Sequence, residues 1–173
     1  HIACLALGIG PGKRVWTSPI SFLASANCAL YCGAEIDFVD IDPATRNLSV
    51  AALAEKLERA SRQGTLPDLL IPVDFSGLPC DLREIRQLAD RYGFRILEDA
   101  SHATGASYLG RPVGSAHAHA SVFSFHAVKI VTTAEGGRLR QLGAVELGPP
   151  PAGNERVIVV ALAHRGRSFG QYQ

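Results

Sequence analysis

Apolar residues recur along this chain in two rhythms: short runs rich in Val, Ile, Leu and Phe, and longer stretches with apolar positions three or four apart. The opening run Ile2-Ala3-Cys4-Leu5-Ala6-Leu7 reads as the latter half of a helix, ended by Gly8, Gly10, Pro11 and Gly12. Arg14-Val15-Trp16-Thr17 predicts a short strand, and 21–31 predicts a helix entered through Pro19. The next strand is expected over 35–40, followed by a turn at Asp42-Pro43-Ala44-Thr45. Ser49 is expected to cap a helix over 50–62, where Leu53 and Leu57 lie four apart on one face. Leu69-Leu70-Ile71-Pro72-Val73 reads as a buried strand, and Asp81 is expected to cap a helix running through Ile85, Leu88 and Ala89 to Tyr92. Phe94-Arg95-Ile96-Leu97 and Ser121-Val122-Phe123-Ser124-Phe125 are expected to complete the strands.

Strands separated by helices argue for an α/β protein, with a mostly parallel sheet covered by helices on both faces in three α/β/α layers. In such sheets ligands gather beyond the carboxyl ends of the strands. Asp74, Asp99 and the run from Ser124 to Lys129 all fall at such ends, so a single site can account for them.

Composition narrows the function classes. A chain of 173 residues with 47% hydrophobic content can bury one ordinary core, and one globular domain is expected. Seventeen basic against 16 acidic residues leave a net charge of +1, too weak a field to point to nucleic acid or an anionic membrane. The partner is expected to be a small molecule. No apolar run approaches the roughly 18 residues of a membrane span, and the N-terminus lacks the basic flank and cleavage site of a signal peptide, so a cytoplasmic enzyme is expected. Cys4, Cys28, Cys32 and Cys80 show no CxxC spacing and read as buried thiols. The chain holds no methionine and begins at His1 in a helix already under way, which leads to the expectation of a segment upstream.

The candidate chemistry centres on Lys129 and Asp99. A lysine amine in an apolar loop and an aspartate at a strand tip can grip the two ends of a pyridine aldehyde, the working pair of a pyridoxal 5'-phosphate enzyme. Ser124 could donate to the phosphate, Phe22 could cover a ring face, and His102 could reach the ring or its phenolic oxygen. Each has a plainer reading: Lys129 as a solvated loop residue, Asp99 as a helix cap, Phe22 as core, His102 as a partner of a backbone carbonyl. Gly8-Ile9-Gly10-Pro11-Gly12 follows a helix and lacks the G-x-G-x-x-G spacing of a dinucleotide loop. His117 and His119, two apart, are expected on one face of an extended segment without Cys or carboxylate partners, which argues against zinc.

The run Glu98-Asp99-Ala100-Ser101-His102-Ala103-Thr104-Gly105, then Ser121-Val122-Phe123-Ser124-Phe125-His126-Ala127-Val128-Lys129 and Thr132-Thr133-Ala134-Glu135-Gly136-Gly137, resembles the DegT/DnrJ family of nucleotide-sugar aminotransferases. The stretches from Thr17 to Asn27 and from Val73 to Gly77 are similar to it as well. The resemblance implies the large domain of the aspartate-aminotransferase-like fold (fold type I), with pyridoxal 5'-phosphate as cofactor. It implies Lys129 as the Schiff-base lysine, Asp99 as partner of the pyridine nitrogen, Ser124 on the phosphate, Phe22 over the ring and His102 beside it. It further implies glutamate as amino donor, a nucleotide-linked 4-keto-6-deoxy sugar as acceptor, and a homodimer. The family's phosphate-binding turn precedes the helix on which this chain opens, and from Arg138 the sequence departs from the family pattern. Residues 1–137 are therefore expected to form a partial large domain without the family's small domain, and 138–173 an atypical stretch, frameshifted or disordered. An inert fragment that at most binds a partner is the alternative.

Overall fold

The computed structural model describes residues 1–133, 136–142 and 155–160. Ala134 and Glu135, the Pro149-Pro150-Pro151 run and residues 165–170 lie outside them.

In chain order the elements are α1 (Ile2–Ala6), β1 (Arg14–Thr17), α2 (Ala24–Tyr31), β2 (Glu35–Phe38), α3 (Val50–Gln63), β3 (Leu69–Ile71), a 3₁₀ turn (Phe75–Gly77), α4 (Leu82–Tyr92), β4 (Arg95–Asp99), β5 (Ser107–Tyr108), β6 (Arg111–Pro112), β7 (Ala120–Ser124), β8 (Gly137–Leu142) and β9 (Glu155–Val160). The main sheet runs β2-β1-β3-β4-β7-β8-β9, with β5 and β6 forming a separate hairpin. From β2 to β7 every pairing is parallel, with register Val15↔Leu69, Leu70↔Ile96 and Asp99↔Val122. The expectation of a mostly parallel α/β sheet therefore holds.

Alternation along the strands divides the core in two. Val15, Leu69, Ile71 and Leu97 pack with Cys4 of α1, Leu7 just after it, and Cys28 and Ala29 of α2. Their neighbours Trp16, Leu70 and Ile96 face the opposite way, onto Leu53 and Leu57 of α3 and Ile85 and Ala89 of α4. Leu53, Leu57, Leu69 and Leu70 are fully buried, each contributing about 1.5–3 kcal/mol of apolar burial. The Ser49 hydroxyl accepts from the Ala52 N–H at 3.2 Å, the expected helix cap.

Four expectations are corrected. α2 begins at Ala24, because the carbonyls of Phe22 and Leu23 accept from Ser25 and Ala26 in tight three-residue turns before the helix proper. Asp81 occupies the position before α4, but its side chain makes no capping bond. His117 adopts φ 70° within a series of bends, so His117 and His119 share no strand face. Nor does β7 complete the strands, since β8 and β9 extend the sheet antiparallel beyond it. The period-2 signal of Arg138-Leu139-Arg140-Gln141 is faint by itself, having one apolar residue; pairing with β7 sets it, with Leu139 opposite Val122 and buried in the core.

Candidate active site

Asp99 ends β4 at the carboxyl edge of the sheet. Its N–H donates to the Pro72 carbonyl at 2.9 Å, and its carbonyl accepts from Asp74 N–H at 3.1 Å, so the strand end is tied to the chain leaving β3. The side chain is held as firmly. Ser25 of α2 donates its hydroxyl to Asp99 Oδ2 at 2.6 Å, and Ser101 N–H donates to Oδ1 at 3.2 Å. Ser21 in turn donates to the Ser25 hydroxyl at 2.6 Å. With one donor on each oxygen, the carboxylate keeps lone pairs for a further donor such as a ring N–H.

The chain then turns through His102, which the segment after β3 sets in place. A Cβ on Gly77 would lie 2.7 Å from the His102 carbonyl oxygen, and Gly77 has φ 86°, so only glycine lets the two turns approach. Lys129 belongs to the loop after β7. That loop is closed by Lys129 N–H to His126 O at 2.9 Å, Thr133 N–H to Phe125 O at 3.0 Å and Phe125 N–H to Gly136 O at 2.9 Å. Lys129 Nζ lies 2.5 Å from His102 Nε2. The amine and the aspartate, 30 positions apart in sequence, thus sit over neighbouring strand ends with His102 between them in the chain and touching the lysine.

The other two expected site residues are less tightly joined. Ser124 ends β7, and its hydroxyl accepts from His126 N–H at 3.4 Å. Phe22 lies in the turn before α2, three residues ahead of Ser25, and is 79% exposed. Among the described residues no hydrogen bond links either of them to Asp99, His102 or Lys129.

Of the groups behind Asp99, sequence reasoning placed Asp74 at the site without giving it a role and passed over Ser25 and Glu98. Ser25 gave no signal, since a serine inside an apolar helix is commonplace. Asp74 and Glu98 are nearly inaccessible, at 1% and 0% exposure. Asp74 Oδ1 accepts from Cys80 N–H at 2.9 Å, and Glu98 Oε2 accepts from the Ser121 hydroxyl at 2.5 Å. Burial, reinforced by the neighbouring Glu98 charge, pushes the Asp74 carboxyl up to about 8, and burial raises Glu98 as well.

Other candidate chemistry recedes. All four cysteines are free and buried, with Cys4 and Cys28 sulfurs 3.6 Å apart. His119 Nδ1 accepts from Ile96 N–H at 2.9 Å, and His117 packs edge-on against Tyr108. Among the described residues no group of three or more His, Cys, Asp or Glu side chains could hold a metal. A cleft of ≈ 340 Å³ opens at the opposite, amino ends of the strands, lined by Arg14, Trp16, Glu35, Asp37, Lys56 and Arg59. Lys56 pairs there with Asp37 at 2.6 Å, so its charge is already met.

A parallel α/β sheet carrying an amine and an aspartate at its carboxyl edge is the arrangement of pyridoxal-phosphate-dependent aminotransferases, and solved aminotransferases superpose on this fold. The sequence profile of the DegT/DnrJ/EryC1/StrS aminotransferase family matches residues 1–140, and the chain belongs to that family. A DegT/DnrJ/EryC1/StrS aminotransferase from Brucella abortus is 35% identical, with a TM-score of 0.68 over 73% of this chain and 34% of its own. Helicobacter pylori PseC, an aminotransferase of pseudoaminic acid biosynthesis, is 36% identical, with a TM-score of 0.66 over 78% of this chain and 36% of its own. Spr1654 from Streptococcus pneumoniae, solved in PLP and PMP forms, is 29% identical, with a TM-score of 0.66 over 79% of this chain. The chain spans about a third of the length of these structures.

Proposed function

We propose that this chain carries the cofactor and catalytic residues of a pyridoxal 5'-phosphate-dependent sugar aminotransferase, with residues 1–137 as the partial cofactor-binding domain. The observation that carries this reading is the contact of Lys129 Nζ with His102 Nε2, beside an Asp99 carboxylate aligned by Ser25 and Ser101. When bound, pyridoxal phosphate supplies an electrophilic aldehyde and a ring that takes up the electron pair released at the amino donor's α-carbon. Asp99 holds a proton on the ring nitrogen. Lys129 provides the amine that takes the α-proton and returns it, and His102 orients that amine. Ser124 donates to the phosphate, and Phe22 covers a ring face.

The finer reading is a transaminase that moves an amino group from glutamate to a UDP-linked 4-keto-6-deoxy sugar. The product would be UDP-4-amino-4,6-dideoxy-N-acetyl-β-L-altrosamine, on the pseudaminic acid route. The 36% identity to PseC supports it. We further propose a cytoplasmic homodimer as the working form. Among the described residues, no helix is long and apolar enough to cross a membrane.

The exposure of Phe22 (79%) and Val128 (79%) favours a second reading, a catalytically inert piece that at most binds a partner. One experiment separates the two. Titrated with pyridoxal phosphate, the chain should develop a visible absorption band that Lys129→Ala abolishes. No band at saturating cofactor selects the inert reading.

A further inference from the structure

Two carboxyl side chains, Asp74 and Glu98, are buried immediately behind Asp99. Each spends one oxygen on a good donor, Asp74 Oδ1 on Cys80 N–H and Glu98 Oε2 on the Ser121 hydroxyl. The other oxygen of each, Asp74 Oδ2 and Glu98 Oε1, is sealed from solvent and meets no donor. The parallel bridge between Val73 and Asp99 puts Asp74 and Glu98, the residues beside them, on the same face of neighbouring chain segments, where each carboxyl feels the other. Two acceptors in contact inside a protein repel unless a proton lies between them, and a carboxyl–carboxylate bond then satisfies both orphaned oxygens at once.

We propose that Asp74 and Glu98 share a single proton and together act as a positioning pair for Asp99. The link is direct along the backbone. Glu98 precedes Asp99 on β4, and Asp74 N–H donates to the Asp99 carbonyl. Asp74 also opens the 3₁₀ turn whose Gly77 abuts the His102 carbonyl, so the shared proton braces both the aspartate and the turn that carries His102. Calling this positioning for catalysis rests on Asp99 and His102 having the roles proposed above; the proton sharing itself does not.

The surroundings favour the shared proton. Asp74 faces the Cys80 amide and thiol from the segment before α4, which favour its ionised form, but burial and the Glu98 and Asp99 charges of β4 oppose ionisation and outweigh them. Glu98 faces Ser121 of β7, lies near the Gly114 amide, and borders a small cavity also lined by Tyr108, Arg111 and His117. Arg140 of β8 stands in register with Ser121 one strand further on. Tyr108, Arg111, His117 and Arg140 are the charged or titratable groups that compete for the pair from this side. As Asp74 titrates above its ordinary range, stability from the shared proton is complete below about pH 4. It declines as pH rises and is lost through about pH 8, where the folded protein releases the proton.

The test uses the full chain without cofactor. Carbon-13 carboxyl NMR should show one side-chain carboxyl titrating with a midpoint near 8, absent from Asp74→Asn. Asparagine keeps the oxygen that accepts from Cys80 and places an N–H where the proton would be, so it should mimic the protonated pair at every pH. Amide exchange of residues 99–103 should stay within about twofold of the parent in Asp74→Asn and rise about tenfold or more in Asp74→Ala. In the parent, that exchange should also quicken above pH 8 beyond its intrinsic base dependence, and Asp74→Asn should remove this limb. Every carboxyl midpoint in the ordinary acid range would overturn the shared proton. Exchange unchanged in Asp74→Ala, or an alkaline limb kept in Asp74→Asn, would overturn the positioning role. Neither readout needs pyridoxal phosphate, so a chain that shows no visible band fails the proposed function while these measurements still decide the pair.

Discussion

The two ends of the candidate site are built differently. Around Asp99 everything is fixed: both carboxylate oxygens are bonded, the strand end is tied to β3, and Asp74 and Glu98 are packed out of solvent behind it. Around Lys129 the protein is open. The lysine sits in an exposed loop among Val128, Ile130 and Val131, and its side chain meets His102. Buried polar groups must find partners or cost stability, so the aspartate end can be completed within one folded sheet. The lysine and Phe22 carry no such obligation until something covers them.

That contrast can be broken most sharply at Gly77. Gly77→Ala should cost about 1–3 kcal/mol, because the added carbon meets the His102 carbonyl and φ 86° is strained for alanine. Urea denaturation of the variant and the parent would show it. An unchanged midpoint would mean that the two turns are not locked together.

Ser25→Ala should cost as much, about 1.5–3 kcal/mol, with the charge-assisted bond to Asp99 lost. Urea denaturation beside the parent would reveal it, and an unchanged midpoint would mean that the Ser25 hydroxyl does not hold Asp99. Phe22→Ala lies at the far end of the scale. With 79% of the residue already in water, stability should change by less than about 0.5 kcal/mol, while affinity for pyridoxal phosphate, followed by absorbance, should weaken if the ring covers the cofactor. A large stability loss in Phe22→Ala would erase the distinction between the two ends.

Much of the fold was legible because its signals are local. Leu53 and Leu57 at helical spacing, Ser49 before them, and the strand Leu69-Leu70-Ile71 between polar turns each declare their element within a few residues. Lys129, Asp99 and His102 were legible as candidates because motif order keeps their types and spacing in the chain. β8 was not, since Arg138-Leu139-Arg140-Gln141 becomes a strand through its pairing with β7 and β9. The missing cap at Asp81 was not legible either, since an aspartate before a helix reads the same whether or not its side chain makes the bond.

The sequence by itself determined the alternation of strand and helix, the two-sided core and the residue types at the strand ends, because hydrophobic period and turn chemistry act over a handful of positions. Only the tertiary structure decided that Ser25 reaches Asp99 across 74 residues and that Lys129 meets His102. It also brought together two buried carboxyls, on chain segments 24 residues apart, with one unpartnered oxygen each. Those facts depend on parallel strands placing distant residues side by side, and on the exclusion of water that makes each unpaired oxygen demand a partner.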